Sequence, residues 1–160
     1  MYLTYVEYIA LYDEIAVKDF NRLCYDASKT IDAQTTGVDG IQKLKHFYPE
    51  DDDAIKRCCG ALVNALYNVE QITKASGVVQ RDDGTFSGAG VSSISSGSES
   101  ITFSSGNGSV YTKSASNEAD KSTMVNSIIA QYLTGETDAN GVNLLYMGVY
   151  PYVRKNDNAI

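Results

Sequence analysis

The sequence predicts a mainly α-helical protein: a small helical bundle with a Ser/Gly-rich β-hairpin insertion and an extended C-terminal arm. Three observations predict it. Apolar residues recur at three- and four-residue steps through three long windows, the composition turns abruptly to Ser and Gly over 76–116, and the last stretch is apolar from Leu144 onward. A chain of 160 residues, 43% of them hydrophobic, has material for one packed core, so a single domain over 1–160 is the default expectation.

Thr4 and Glu7 stand at the capping-box spacing, where each side chain takes an otherwise unpaired backbone N–H at a helix start. A first helix over about residues 5–12 follows, with Tyr5, Tyr8, Ile9 and Tyr12 at helical spacing as an aromatic stripe. Phe20, Leu23, Cys24, Ala27 and Ile31 share one face of a second helix, about 17–34, which Gly37 and Gly40 end. The run Glu50 to Asp53 places carboxylates at the start of a third helix, about 52–75, where the partial positive charge of the helix N-terminus favours them. Ile55, Cys58, Cys59, Leu62, Leu66, Val69 and Ile72 give that helix the widest apolar stripe in the chain.

Within the insertion, 76–116, Val91 to Ser95 and Ser100 to Ser104 flank a Ser96-Gly97-Ser98-Glu99 turn, and Ile101 and Phe103 alternate with polar neighbours as in a strand. A β-hairpin with flexible shoulders is the expectation. Helical periodicity returns over about 117–134, with Met124, Val125, Ile128, Ile129, Tyr132 and Leu133 on one face and Gly135 as the stop. Leu144-Leu145-Tyr146-Met147-Gly148-Val149-Tyr150 then begins an arm, 144–160, apolar enough to be docked on something.

Thirteen Lys and Arg against twenty Asp and Glu give a formal net charge of -7, so the surface repels a polyphosphate and lacks the basic face of a sequence reader. The three cysteines, Cys24, Cys58 and Cys59, form neither a disulfide framework nor a CxxC clamp, which fits a reducing cytoplasm. Glu7 and Asp13 interrupt the apolar N-terminus, and no apolar run approaches the ~20 residues a membrane span needs; the expectation is neither export nor membrane insertion.

Catalytic patterns are weak. The only histidine, His46, lies in a loop beside Lys45 and Phe47 with no partner to make it an acid or base. The acidic run at 50–53 lacks the alternating ligands and the turn glycine of a calcium loop, so N-capping is its expected role. Adjacent cysteines on a helix point about 100° apart, which disfavours joint metal ligation by Cys58 and Cys59 and favours core packing. No Gly-Lys-Ser/Thr follows Gly88-Ala89-Gly90, so these glycines are not a phosphate loop. The expectation is a non-enzyme with no catalytic residue, no cofactor and no metal. Twelve tyrosines with no tryptophan suit either wet interfaces or ordinary core and rim, and both readings stay open.

The opening Tyr2-Leu3-Thr4-Tyr5-Val6-Glu7-Tyr8, the segment Asp19-Phe20-Asn21-Arg22-Leu23 through Ala27 to Ile31-Asp32, and Thr35-Thr36-Gly37 resemble the head-tail connector (adaptor) family of long-tailed bacteriophages. Ile128-Ile129-Ala130-Gln131-Tyr132-Leu133 followed by Leu144-Leu145-Tyr146-Met147-Gly148-Val149 resembles that family's last helix and closing motif. The chain departs from it at Met147, where relatives often carry Arg. The resemblance covers most of the chain in order.

It implies a homo-oligomeric ring of twelve copies under the portal protein, in the virion neck, completing a channel that DNA passes without sequence-specific binding. The stopper or a tail-completion protein docks below. The resemblance implies a portal-docking arm comprising Leu144, Leu145, Tyr146, Met147, Val149 and Tyr150, and a tail-side loop carrying Val91, Ile94, Ile101 and Phe103. Tyr5, Tyr8 and Tyr12 are candidate contacts between subunits. The competing expectations are a packaging-associated DNA-binding factor, which would gather Lys18, Arg22, Lys29, Lys43 and Lys45 on one surface, and another neck protein such as a stopper.

Overall fold

A computed structural model describes residues 1–44, 53–75, 79–80, 86–87, 93–96, 99–102 and 110–151. The described chain is mainly helical, in five helices: α1 Tyr5–Ile9, α2 Val17–Thr35, α3 Asp53–Ala75, α4 Val110–Ser116 and α5 Glu118–Leu133. It divides into two compact units, one of 1–61 with 128–160 and one of 62–127.

The capping box at Thr4 is formed. The Glu7 carboxylate accepts the Thr4 N–H at 2.8 Å while the Thr4 hydroxyl oxygen accepts the Glu7 N–H at 3.3 Å. The helix it starts ends at Ile9, earlier than the spacing of tyrosines predicts. Leu11 and Tyr12 both donate their N–H to the Tyr8 carbonyl, so the chain closes in a tight last turn that still leaves Tyr12 beneath Tyr8. The tyrosine stripe therefore survives the loss of the helix, and Tyr12 stacks on Tyr8 with ring centroids 5.2 Å apart.

The first unit takes its core from that stripe and from the apolar face of α2. Phe20, Leu23, Cys24, Ala27 and Ile31 are all buried, as their spacing predicts. Phe20 meets Tyr5 edge-on and Tyr8 at a tilt, each at 5.3 Å, geometries that suit the ring quadrupoles. From α3, Ile55, Cys58 and Cys59 are buried, and from the end of α5, Ile129 and Leu133. Cys24 and Cys59 bring their sulfurs to 3.8 Å, and all three cysteines are free thiols. In the second unit, Leu62, Val63, Ala65 and Val69 of α3 are buried, as are Ser114, Ala115 and Met124 of α4 and α5.

Helix α4 lies where the sequence predicts the end of the Ser/Gly insertion. Ser114 is satisfied inside the helix by donating to the Val110 carbonyl at 2.8 Å, and with Ala115 it is buried, so packing overrides the poor helix propensity of the serines. Of the rest of the insertion, the backbone of Ser93–Ser96 runs antiparallel to Glu99–Thr102, and that of Val79–Gln80 to Phe86–Ser87. The turn residues Gly97 and Ser98 and the shoulders on either side lie outside the described residues, as do Lys45, His46 and the acidic residues Glu50, Asp51 and Asp52. Asp53 opens α3 and pairs with Arg57 one turn on, at 3.1 Å.

Lys56 of α3 reaches the other oxygen of Glu7 at 2.8 Å, and this hydrogen bond, with those from Thr4, holds the Glu7 carboxyl down at about 2. A carboxyl lowered on folding contributes stability above its unfolded value of 4.5 and loses it as the pH falls through that value toward 2. Urea midpoints measured between neutral pH and about pH 3 are therefore expected to fall less steeply in Glu7→Gln than in the unsubstituted chain, from a lower starting value.

Candidate functional site

After α2 and again after α5 the chain makes the same turn. Thr36 bridges to Gln42, and Thr137 bridges to Asn143. Gly37 N–H donates to Ile41 O and Gly40 N–H to Gly37 O in the first turn; Asp138 N–H donates to Val142 O and Gly141 N–H to Asp138 O in the second. Gly40 and Gly141 occupy the same place with φ of 78° and 77°, a backbone region in which a Cβ is strained. An aspartate holds each turn from inside, Asp39 Oδ1 accepting Ile41 N–H at 3.2 Å and Asp138 Oδ1 accepting Asn140 N–H at 2.9 Å.

The two turns are joined through the segment after the second. Lys43, which follows the first turn, is completely buried. Its ammonium donates to the carbonyl oxygens of Asn143 at 3.2 Å, Leu144 at 2.8 Å and Tyr146, and lies 5.9 Å from the centre of the Tyr146 ring. An ammonium has three donors, so the three carbonyls satisfy it. Burial pushes its pKa below the ordinary lysine value, and the carboxylates of Asp138 and Asp39 oppose that push.

Two further contacts fix the far end. Tyr150 N–H donates to Asp39 Oδ2 at 2.6 Å, which is the main reason the Asp39 carboxyl sits below its usual value. The Tyr150 hydroxyl donates to Asp138 Oδ2 at 2.5 Å and accepts from the Asn140 amide at 2.9 Å. Val38 N–H donates to the Met147 carbonyl at 3.0 Å and ties the middle. The segment from Asn143 to Tyr150 is thus latched at three points.

The latch sorts the residues expected to form a docking arm. Leu144 and Tyr150 are buried within this chain: Leu144 lends its carbonyl to Lys43, and Tyr150 is held by two aspartates. Leu145 is half-buried. Tyr146, Met147 and Val149 are exposed at 47%, 46% and 63%, and Val38, bonded to Met147, is exposed at 75%; the four are the apolar side chains this segment offers outward. The rest of the expected arm, from Tyr152 to Ile160, lies outside the described residues.

The other expected contact residues divide similarly. Tyr8 is completely buried within this chain, where it packs between Tyr12 and Phe20. Tyr5 and Tyr12 are half-buried, with the Tyr5 hydroxyl donating to the Ile15 carbonyl at 2.7 Å. In the insertion, Ile94 and Ile101 are backbone partners across the strand pair. Val91 and Phe103 lie outside the described residues.

Among the described residues, no cluster of His, Cys, Asp or Glu could hold a metal ion, and no helix is long and apolar enough to cross a membrane. The sequence offers Lys43 only as one of five basic residues for a DNA-binding surface, and it offers the turn aspartates in no role. The signal in the sequence is a short likeness of Thr36 to Gln42 and Thr137 to Asn143, in which Thr36 and Thr137, and Gly40 and Gly141, stand at matching places; the two aspartates do not. In comparisons with family models, curated proteins and solved structures, nothing matches this chain.

Replacing the buried ammonium takes a charged donor from three carbonyls, of which the Asn143 oxygen keeps the Tyr146 N–H at 3.1 Å. Lys43→Met is expected to raise the rate of chymotryptic cleavage within 143–150 about tenfold or more, at a helical circular dichroism close to the parent's, because a hydrogen bond to a charged group contributes roughly 1.5–3 kcal/mol.

Proposed function

We propose that this chain is a non-enzymatic structural subunit of the phage neck, a head-tail connector that forms a ring of twelve copies beneath the portal. The ring completes the DNA channel and gives the stopper or tail-completion protein its docking surface. The observation that carries the reading is the latched segment from Asn143 to Tyr150, which presents Tyr146, Met147 and Val149 beside Val38 as exposed apolar side chains. Exposed apolar groups held on fixed backbone favour a partner, since little ordering remains to be done when it binds.

The segment coincides with the closing motif on which the resemblance to head-tail connectors rests. In this reading the helices form a small bundle, the Ser/Gly-rich insertion is a β-hairpin on the tail side, and the latched segment faces the portal. The acidic balance, -7 overall, suits a channel wall along which DNA slides without sticking.

The DNA-binding alternative loses part of its basis. Lys43 is buried on backbone carbonyls, and Arg22 lies 3.7 Å from Asp19, so two of the five basic residues it needs are already engaged. No observation favours it.

The test uses three of the four exposed side chains, because deletion from Leu144 onward would remove core residues as well. In Val38→Asp combined with Met147→Asp and Val149→Asp, helical circular dichroism and thermal midpoint are expected to stay near the parent's, while co-sedimentation with purified portal rings falls at least about tenfold. Undiminished co-sedimentation of that variant contradicts the proposed surface, and failure of the parent chain to bind any portal ring contradicts the connector reading.

A further inference from the structure

We propose that Cys24 and Cys59 are a redox-active dithiol that a peroxide closes into an intramolecular disulfide, stapling α2 to α3. The inference stands on the core of the first unit and does not depend on the assembly reading. Cys24 on α2 and Cys59 on α3 are both completely buried, and their sulfurs are 3.8 Å apart. A disulfide needs about 2.05 Å between sulfurs, and in this proposal rotation of the two side chains makes the remaining closure.

The two thiols are unequal. The Cys24 thiol is held down at about 7, chiefly by its hydrogen bond with Cys59, and the Cys59 thiol is pushed up by the same bond and by burial. Cys24 is thus the one that reaches the thiolate state near neutral pH. Cys58, next in the chain, has its thiol pushed up to about 12 by burial and points about 100° away around the helix, so it is outside the pair.

The chemistry balances with peroxide as the oxidant. The Cys24 thiolate displaces hydroxide from the peroxide and becomes a sulfenic acid. The Cys59 thiol then attacks that sulfur, and the sulfenic oxygen leaves as water. Two thiols and one hydrogen peroxide give one disulfide and two waters, with two electrons passing from sulfur to oxygen.

The N-terminal residues cover the pair. The Leu3 carbonyl accepts from the Cys24 thiol at 3.5 Å, Tyr2 N–H donates to the Ser28 hydroxyl at 3.4 Å, and that hydroxyl is 3.8 Å from the Cys59 sulfur. Peroxide reaches the sulfurs when this short segment, tied over the pair by two long hydrogen bonds of 3.4 and 3.5 Å, opens locally.

The experiment treats the folded full-length chain with hydrogen peroxide, blocks remaining thiols by alkylation after unfolding, and maps peptides by mass spectrometry. The expected result is loss of the mass of two hydrogens, a single Cys24–Cys59 linkage reversed by dithiothreitol, and a thermal midpoint raised by about 10 °C. Cys58→Ser is expected to form the same linkage. A linkage involving Cys58, a bond only between chains, or thiols that stay unlinked while peroxide oxidises a small dithiol in the same tube would each overturn the proposal. The unsubstituted chain alone decides the matter, so the test survives if Cys24→Ser or Cys59→Ser fails to fold.

Discussion

A buried ammonium is the constraint on which the C-terminal third of the first unit depends. Placing Lys43 out of water costs several kcal/mol unless its donors are met. Here they are met by carbonyls of a segment a hundred residues away in the chain, with Asp39 and Asp138 supplying opposite charge nearby. The cost of leaving the ammonium unpaired fixes the path of Asn143 to Tyr146, and the two aspartates carry the order on to Tyr150. The exposed apolar surface is therefore a consequence of a polar interior contact. Its four side chains are held in place by backbone they do not themselves anchor.

The aromatic N-terminus uses a different economy. Tyr5, Tyr8, Tyr12 and Phe20 meet in offset and edge-on pairs, so residues that could have been presented to a neighbouring copy instead complete the core of their own. Val6, Ile9 and Leu11 beside that stripe are exposed as well, but the functional reading rests on the latched segment because its exposed side chains sit on backbone held by Lys43, Val38 and the two turn aspartates.

The helices were legible in the sequence because periodicity reports burial directly: the apolar face of α2 is the face that packs, and α3 and α5 start and stop within a residue or two of where their spacing places them. The end of α1 was misplaced because tyrosines continue at helical spacing past the point where the backbone tightens into a turn. Helix α4 was missed because a short serine-containing helix is held by packing that composition does not reveal. The latch was illegible for a further reason. Nothing local in Gln42-Lys43-Leu44 distinguishes a lysine that will be buried, since its partners are backbone carbonyls, which every residue carries. The likeness between the two turns, Thr36 with Thr137 and Gly40 with Gly141, is too short to mark the lysine.

The most direct measurement of the account is nitrogen-15 nuclear magnetic resonance of the Lys43 side chain. The expected result is an ammonium signal protected from exchange with water, with couplings across hydrogen bonds to the carbonyl carbons of residues 143, 144 and 146. A Lys43 ammonium that exchanges as fast as those of exposed lysines, with no such couplings, would contradict it.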